Sequence, residues 1–324
     1  MYSFDTALPV KCIPYPDESG YGYCLRAIHR NGANLHALRR MMNLPEKQEF
    51  HKSHATALAS IFGVPSEWLS SSLGEDRPRK FGPQEFWGHT IYMPRNMKWA
   101  TPQVCPLCIH RHGYCKAIWD VALSTVCLEH GCWLIDSCKQ CGQALRWNRP
   151  SVDVGHCKHY IQAHGTKEAI PDAAVDLQKF LEQRFNARTN DSDESPICGV
   201  STPELLRASS FGAALIYLSA FGAKVRFSDK GFAQVTKDHL TSSQWREIAL
   251  RGWERCQSFD ISSDTQFAEE DLVLSKLILR ILVTGANPDD AQLAVSVLRA
   301  LNDGALSSDL TRYAPVLRQQ VLFK

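Results

Sequence analysis

Apolar positions recur three and four residues apart along most of this chain, the spacing of a single helical face, and they alternate only briefly. The first helix is expected in DESGYGYCLRAIHRNG, where acidic and Ser residues mark a start and Asn31-Gly32 marks a stop. Asn34 then caps a short helix carrying Leu35, Leu38, Met41 and Met42, ended by Pro45. In ATALASIFGVPSEWLSSSLG, Ala57, Leu58 and Ile61 share a face, Gly63 permits a tight turn, and Pro65-Ser66 opens a helix bearing Trp68 and Leu69. A small Ala59, a turn Gly63 and an apolar Leu69 at that spacing predict a helix-turn-helix-like pair. Its second helix, SEWLSSSLGED, holds no Arg, Lys, Asn or Gln to read base edges, so a protein-docking face is the stronger expectation.

Beyond this block the pattern loosens and then returns. Residues 75–103 carry Gly and Pro breaks and read as an irregular connector. Trp119, Val121 and Leu123 alternate, which predicts one short strand. A helix follows over residues 171–188, then a polar acidic loop over 189–199. Ser201-Thr-Pro-Glu204 is a capping-box pattern leading into Leu205, Leu206, Ala213, Ile216, Tyr217 and Phe221. Further helical stretches cover 241–256, 268–283, 288–301 (capped by Asn287 and opened by Pro288) and 309–322. The expected division is 1–76 (N-terminal helical), 77–103 (linker), 104–165 (cysteine-rich) and 166–324 (C-terminal helical). Fold class is therefore mainly α, with small zinc-ribbon β elements in the cysteine-rich block.

Composition adds little to that picture, since 44% apolar and 22% charged residues are ordinary for a soluble protein. No apolar run spans a bilayer: LVLSKLILRILV, Leu272 to Val283, is broken by Lys276 and Arg280. The N-terminus lacks the basic start and apolar run of a secretory signal, so the cytoplasm is the expected location. Net charge is +2, but basic residues concentrate between Arg77 and Lys116: Arg77, Arg79, Lys80, Arg95, Lys98, Arg111 and Lys116, with Glu85 the one acid among them. Phe81, Phe86, Trp87, Tyr92 and Trp99 interleave with them, which suits phosphate contact and base stacking, or equally a connector whose aromatics pack on neighbouring elements.

Cysteine layout changes the picture most. Of twelve cysteines, Cys105, Cys108, Cys115, Cys127, Cys132, Cys138, Cys141 and Cys157 crowd into one block. In a reducing compartment such density reads as metal ligation rather than disulfides. Cys105-Pro-Leu-Cys108 and Cys127-Leu-Glu-His130 form two ligand pairs suited to one tetrahedral Zn²⁺, closed by four protein ligands and hence structural. A second site starts at Cys138-Lys-Gln-Cys141-Gly142. In VGHCKHY, pair spacing selects His156 and His159, whereas ligand preference favours Cys157 with one histidine; Cys157 and His159 are the assignment taken. Cys115 and Cys132 lie off the ligand spacing and read as buried apolar residues, and His110 and His112 as surface polar ones.

Enzyme signatures are missing. A zinc nucleobase deaminase needs H-x-E upstream of P-C-x-x-C; here the proline lies inside the pair and no H-x-E precedes it. H-E-x-x-H, G-x-S-x-G and the phosphate-cradling G-x-x-x-x-G-K-[ST] do not occur. Glu129 could act as a base only if the first site held a water, which four ligands exclude.

CPLCIHRHGYCKAIWDVALSTVCLEHGCWLIDSCKQCG resembles the zinc-binding core of the TniQ family, transposon target-selection proteins related to TnsD. Cys105, Cys108, Gly113, Tyr114, Trp119, Cys127, His130, Cys138 and Cys141 match its order, and IPYPDESGYGYCLRAIHRNG resembles its opening segment. Lys139 departs from the usual proline, and the histidine-containing closing pair from the usual two cysteines. The resemblance implies a non-enzymatic adaptor with two structural Zn²⁺ ions. Such an adaptor links a target-recognition module to an AAA+ ATPase regulator that recruits the transposase. The module is either an RNA-guided CRISPR effector complex, docked by a homodimer, or attachment-site DNA bound directly by the helix-turn-helix. RNA-guided targeting is the expectation preferred; a zinc-dependent nucleic-acid enzyme is the distant alternative. Location would then be the bacterial cytoplasm, on the nucleoid when assembled.

Overall fold

Helix α1 (Gly20–Arg30) begins at Ser19, whose Oγ accepts the Gly22 amide, and ends where the Asn31 amide returns to the Ile28 and His29 carbonyls. The fold described here is that of a computed structural model covering residues 7–46, 49–75, 83–163, 168–187, 202–222, 240–258, 278, 281 and 287–301. Nearly all of α1 is buried, so its sides are all core rather than one apolar stripe. Helix α2 (Leu35–Met41) is capped by the Asn34 side chain, which accepts the Ala37 amide at 2.9 Å.

The helix-turn-helix-like pair is present. Helix α3 (Ala55–Phe62) stops at Gly63, whose φ of 69° is a left-handed conformation that glycine adopts at no steric cost, and Pro65 precedes α4 (Ser66–Ser72). Trp68 of α4 meets the Tyr23 ring edge-on at 5.0 Å, tying the pair to α1.

Two compact units divide the chain. The first comprises Met1–Pro78, Glu85–Gly88 and Met97–Glu182, so the N-terminal helices and the cysteine-rich block share one unit. Within the segment read as a connector the aromatics are packed rather than exposed: Phe86 and Trp99 are buried and meet edge-on at 6.3 Å. It also contains two short strands, β1 (Gln84–Phe86) and β2 (His89–Ile91).

In the cysteine-rich block, α5 (Pro106–His112) is followed by a 3₁₀ turn at Ala117–Asp120, where the alternation had predicted a strand. Trp119, Val121, Ala122 and Leu123 are all buried, so no face of this run is solvated and a half-buried strand does not form. The strands are β3 (Val126–Cys127) and β4 (Cys132–Trp133), an antiparallel pair with Val126 opposite Trp133 and Cys127 opposite Cys132. Helix α6 (Asp172–Asn186) carries Gln178, which bonds Ser124 beneath the hairpin at 2.9 Å.

The second unit comprises Arg79–Gln84, His89–Asn96 and Gln183–Lys324. The apolar stretch expected after the capping box forms two helices, α7 (Thr202–Ala208) and α8 (Phe211–Gly222). Ser209 bonds back to the Leu206 carbonyl and Ser210 Oγ accepts the Ala213 amide, so the two serines close one helix and open the next. Every residue of α8 is buried, and α9 (Ser242–Ser258) packs on it at backbone contact. A Cβ on Gly252 would stand 2.1 Å from the Leu218 carbonyl oxygen, which fixes that position as glycine. Helix α10 (Pro288–Leu301) is capped by Asn287, whose Oδ1 accepts the Asp289 amide at 2.9 Å. Apart from residues 278 and 281, the helix expected at 268–283 lies outside the described residues, as do the helix at 309–322 and the loop at 189–199. Among the described residues no helix is long and apolar enough to cross a membrane.

Candidate metal centre

The first knuckle is built into a helix start. Cys105 occupies the N-cap of α5, its Sγ accepting the Cys108 amide at 3.4 Å, with Pro106 at the first helical position and Gly113 closing the helix at φ 70°. Opposite it, the β3–β4 hairpin carries Cys127 on its first strand and His130 in its turn, where Gly131 has a φ of 51°. A bridge between Val104 and Ile135 holds the two halves together.

These elements bring Cys105, Cys108, Cys127 and His130 together, with one ligand atom from each lying within 4.8 Å of all the others. Cys108 Sγ stands 3.1 Å from His130 Nδ1 and 3.5 Å from Cys127 Sγ. All three cysteines are buried. Thiol donors from Cys105, Cys108 and Cys132 pull Cys127 far below the ordinary thiol range, and the Cys108 thiol pulls Cys105 down. Thiolates at neutral pH are the form that ligates metal.

The second cluster is assembled from two turns. Cys138 and Gly142 close the first, the Gly142 amide bonding the Cys138 carbonyl at 2.8 Å with Gly142 at φ 72°. Gly155 to Lys158 form the second, clamped by the Gly155 amide on the His159 carbonyl at 2.8 Å. Ligand atoms of Cys138, Cys141, Cys157 and His159 all lie within 4.8 Å of one another. Burial resists ionisation of Cys138, but amides of Cys141 and Gln140, with His159 and Cys157, bring its thiol down to about 6. His156 points elsewhere: its Nδ1 meets the Asn148 carbonyl at 2.9 Å. Only Cys138 of this set is buried, and Cys141 is exposed.

Three sulfurs and one imidazole per cluster fit a tetrahedral, borderline-soft ion better than a hard cation, which wants oxygen ligands. A third grouping, Cys108, His112 and Glu129, shares Cys108 with the first cluster and is no independent site. Glu129 accepts His112 Nε2 at 2.6 Å and lies 3.5 Å from both Lys116 and Arg111, contacts that hold its carboxyl below the usual range. The carboxylate is thus engaged by His112, Lys116 and Arg111, with its Oε2 also 3.7 Å from Cys108 Sγ.

The basic stretch fares differently from its sequence reading. Lys98, expected as a surface contact, is buried, its Nζ 3.0 Å from Asp136 Oδ2. A cation held this way offers nothing to a phosphate. Arg95 is half-buried in a 3₁₀ turn at Pro94–Asn96, and Arg111 is exposed. Arg77, Arg79 and Lys80 lie outside the described residues.

Cys115 behaves as a small core residue: it is buried, its thiol is pushed up to about 12 by burial, and a Cβ on Gly22 would meet its own Cβ at 2.8 Å. Cys132 is buried as expected, but its neighbours differ from those of Cys115. Its Sγ lies 3.5 Å from Cys105 Sγ, inside the first cluster's surroundings rather than among hydrocarbon. The signal was in the sequence, because Cys127-x4-Cys132 is itself a ligand-pair spacing.

Cysteine and histidine knuckles on a helical scaffold, with a short hairpin, define a mainly α protein with a zinc-ribbon-like arrangement. The TniQ family model matches residues 9–134, so the segment holding α1 to α5 and the first cluster is a TniQ domain. That match supports a transposition-related function. The second cluster follows the matched region. Among curated proteins, none matches this chain.

Proposed function

We propose that this chain is a non-enzymatic targeting adaptor of transposition. Its TniQ domain docks an RNA-guided CRISPR effector complex and presents it to an AAA+ ATPase regulator, which in turn recruits the transposase. The observation that carries this reading is the family match over residues 9–134, a segment whose Cys105, Cys108, Cys127 and His130 would hold Zn²⁺ with no ligand position left over. A metal closed by four side chains cannot activate water, so its contribution is to hold the hairpin on α5. The second ion is assigned to Cys138, Cys141, Cys157 and His159.

Docking rather than base reading is supported by α4. Its more exposed positions are Ser66, Glu67, Trp68, Ser70 and Ser71, with no cation among them, and acidic Glu67 would repel a phosphate backbone. A second reading, direct binding of an attachment site, is favoured by one feature, the left-handed Gly63 turn between α3 and α4.

Binding of the purified, metal-loaded chain to duplex DNA over a salt series separates the two. The adaptor binds weakly at every salt, whereas a phosphate-binding protein loses affinity steeply as salt rises. Co-purification with an AAA+ ATPase regulator of transposition tests the adaptor role itself. A chain that binds one duplex sequence tightly and ignores the ATPase would replace the first reading with the second.

A further inference from the structure

The β3–β4 hairpin sets Cys132 directly across from Cys127, and this delivers a fourth sulfur to the first cluster. Cys132 Sγ is 3.5 Å from Cys105 Sγ, the separation that Cys108 Sγ keeps from Cys127 Sγ. Two thiolates bound tetrahedrally to one Zn²⁺ at about 2.3 Å each stand about 3.8 Å apart, so both pairs have the separation of co-ligands. Cys132 is as buried as Cys105, Cys108 and Cys127. His130, by contrast, sits in the hairpin turn with its side chain 15% exposed. Its Nδ1 is 3.1 Å from Cys108 Sγ and 3.7 Å from both Cys105 and Cys127.

One strand position and one turn position thus both bring a donor to the cluster's edge. We propose that the first cluster holds its metal through Cys105, Cys108 and Cys127 with two interchangeable fourth ligands, His130 and Cys132. The inference rests on the metal reading above and extends it to a residue outside the Cys3His set. The exchange balances: the bond from metal to imidazole breaks as the bond to Cys132 Sγ forms. The thiol proton passes to the imidazole nitrogen set free, so the total charge is unchanged. A borderline ion such as Zn²⁺ accepts either donor, while a softer ion selects the fourth thiolate. The arrangement keeps the hairpin fastened to α5 even when the half-buried histidine is displaced.

The full chain is loaded with Co²⁺ and, separately, with Cd²⁺, as wild type, Cys132→Ser, His130→Ala and the double variant. Site two contributes the same signal to each and cancels in the differences. His130→Ala is expected to keep the wild-type metal-to-chain ratio while its thiolate-to-cobalt charge-transfer intensity rises. Cys132→Ser keeps ratio and intensity, and the double variant loses about one metal per chain. With cadmium, which is soft, the site-one resonance moves upfield in Cys132→Ser although His130 is intact.

Loss of one metal from His130→Ala, or no gain in its charge-transfer intensity, overturns the inference. An unchanged cadmium spectrum in Cys132→Ser does so too, and decides the matter if His130→Ala does not fold. A wild-type chain that binds no metal at all would instead remove the metal reading on which the inference rests.

Discussion

Ser19 Oγ donates to Asp120 Oδ2 at 2.6 Å, joining the start of α1 to the 3₁₀ turn between the two halves of the first cluster, 101 residues away. The two segments run together: the Ser19 amide bonds the Cys115 carbonyl at 2.8 Å and the Ala117 amide bonds the Asp17 carbonyl at 2.7 Å. Tyr15 stacks on Tyr114 with ring centroids 4.3 Å apart. The N-terminal segment and the metal region are thus one hydrogen-bonded piece.

Asp120 is buried, and burial pushes its carboxyl up from 3.8 to about 7 although the Ser19 hydrogen bond opposes the rise. The sign follows from linkage. Between those two values the folded chain binds a proton that the unfolded chain has released, so this group's stabilising share is complete below 3.8 and is lost as pH rises to about 7. Asp120→Asn keeps an acceptor for Ser19 and removes the titration. It is expected to exceed wild type by on the order of 2–4 kcal/mol at neutral pH, with the difference vanishing toward pH 4. Urea midpoints across that range give the answer, and a constant difference would refute the assignment.

Arg26 and Glu18 form a buried pair, Nε to Oε1 at 2.7 Å and Nη2 to Oε2 at 2.6 Å, with the Tyr15 amide also on Glu18. Replacing Arg26 alone by Met leaves an uncompensated carboxylate in the interior and should cost about 3–5 kcal/mol. Replacing both by Met should cost much less, because no orphaned charge remains. Chemical denaturation of the single and double variants measures the difference.

Periodicity and capping residues located the helices well, since Asn34, Gly63, Pro65 and Asn287 act locally and their consequences follow within one turn. Ligand spacing gave Cys105, Cys108, Cys127 and His130 for the same reason: a knuckle is a local structure. Long-range partnerships were not legible. Nothing near Lys98 in the sequence announces Asp136, and nothing near Ser19 announces Asp120, so a cation expected at the surface proved to be interior. For Cys132 the sequence offered only its spacing from Cys127; its place directly opposite Cys127 depends on hairpin register, which a two-residue strand does not declare.

In the second unit, Asp290 is fully buried at the start of α10 and gathers three donors. Tyr92 Oη donates to its Oδ2 at 2.8 Å, the Ser210 amide to its Oδ1 at 2.9 Å, and the Ser210 hydroxyl to its Oδ2. Tyr92→Phe removes one of these and should cost about 1 kcal/mol. Asp290→Ala orphans all three donors at once and should cost about 3 kcal/mol or more. A scan of melting temperatures ranks the two, and an equal loss would mean that Asp290 is held by Tyr92 alone.

The two clusters differ in depth, and metal removal should expose that difference. At the first cluster Cys105, Cys108 and Cys127 are buried among Val104, Val126, Trp133 and Leu134, so its ligands are part of the core. At the second, Cys141 is exposed and Cys157 and His159 are half-buried on two surface turns. A chelator reaches the shallow site without unfolding the chain, whereas release from the deep site requires the hairpin to leave α5. Titration with a chelator is therefore expected to remove about two metals per chain in two phases. The first phase should loosen residues 137–161 alone, seen as faster amide exchange there with helix content retained. The second should coincide with loss of the cooperative fold over residues 104–131. Cys141→Ser is then expected to give a soluble, folded chain lacking the early phase, and Cys105→Ser a chain that fails to fold around the hairpin. A folded Cys105→Ser protein lacking metal at the first cluster would show that the ion there is not what holds the hairpin on α5.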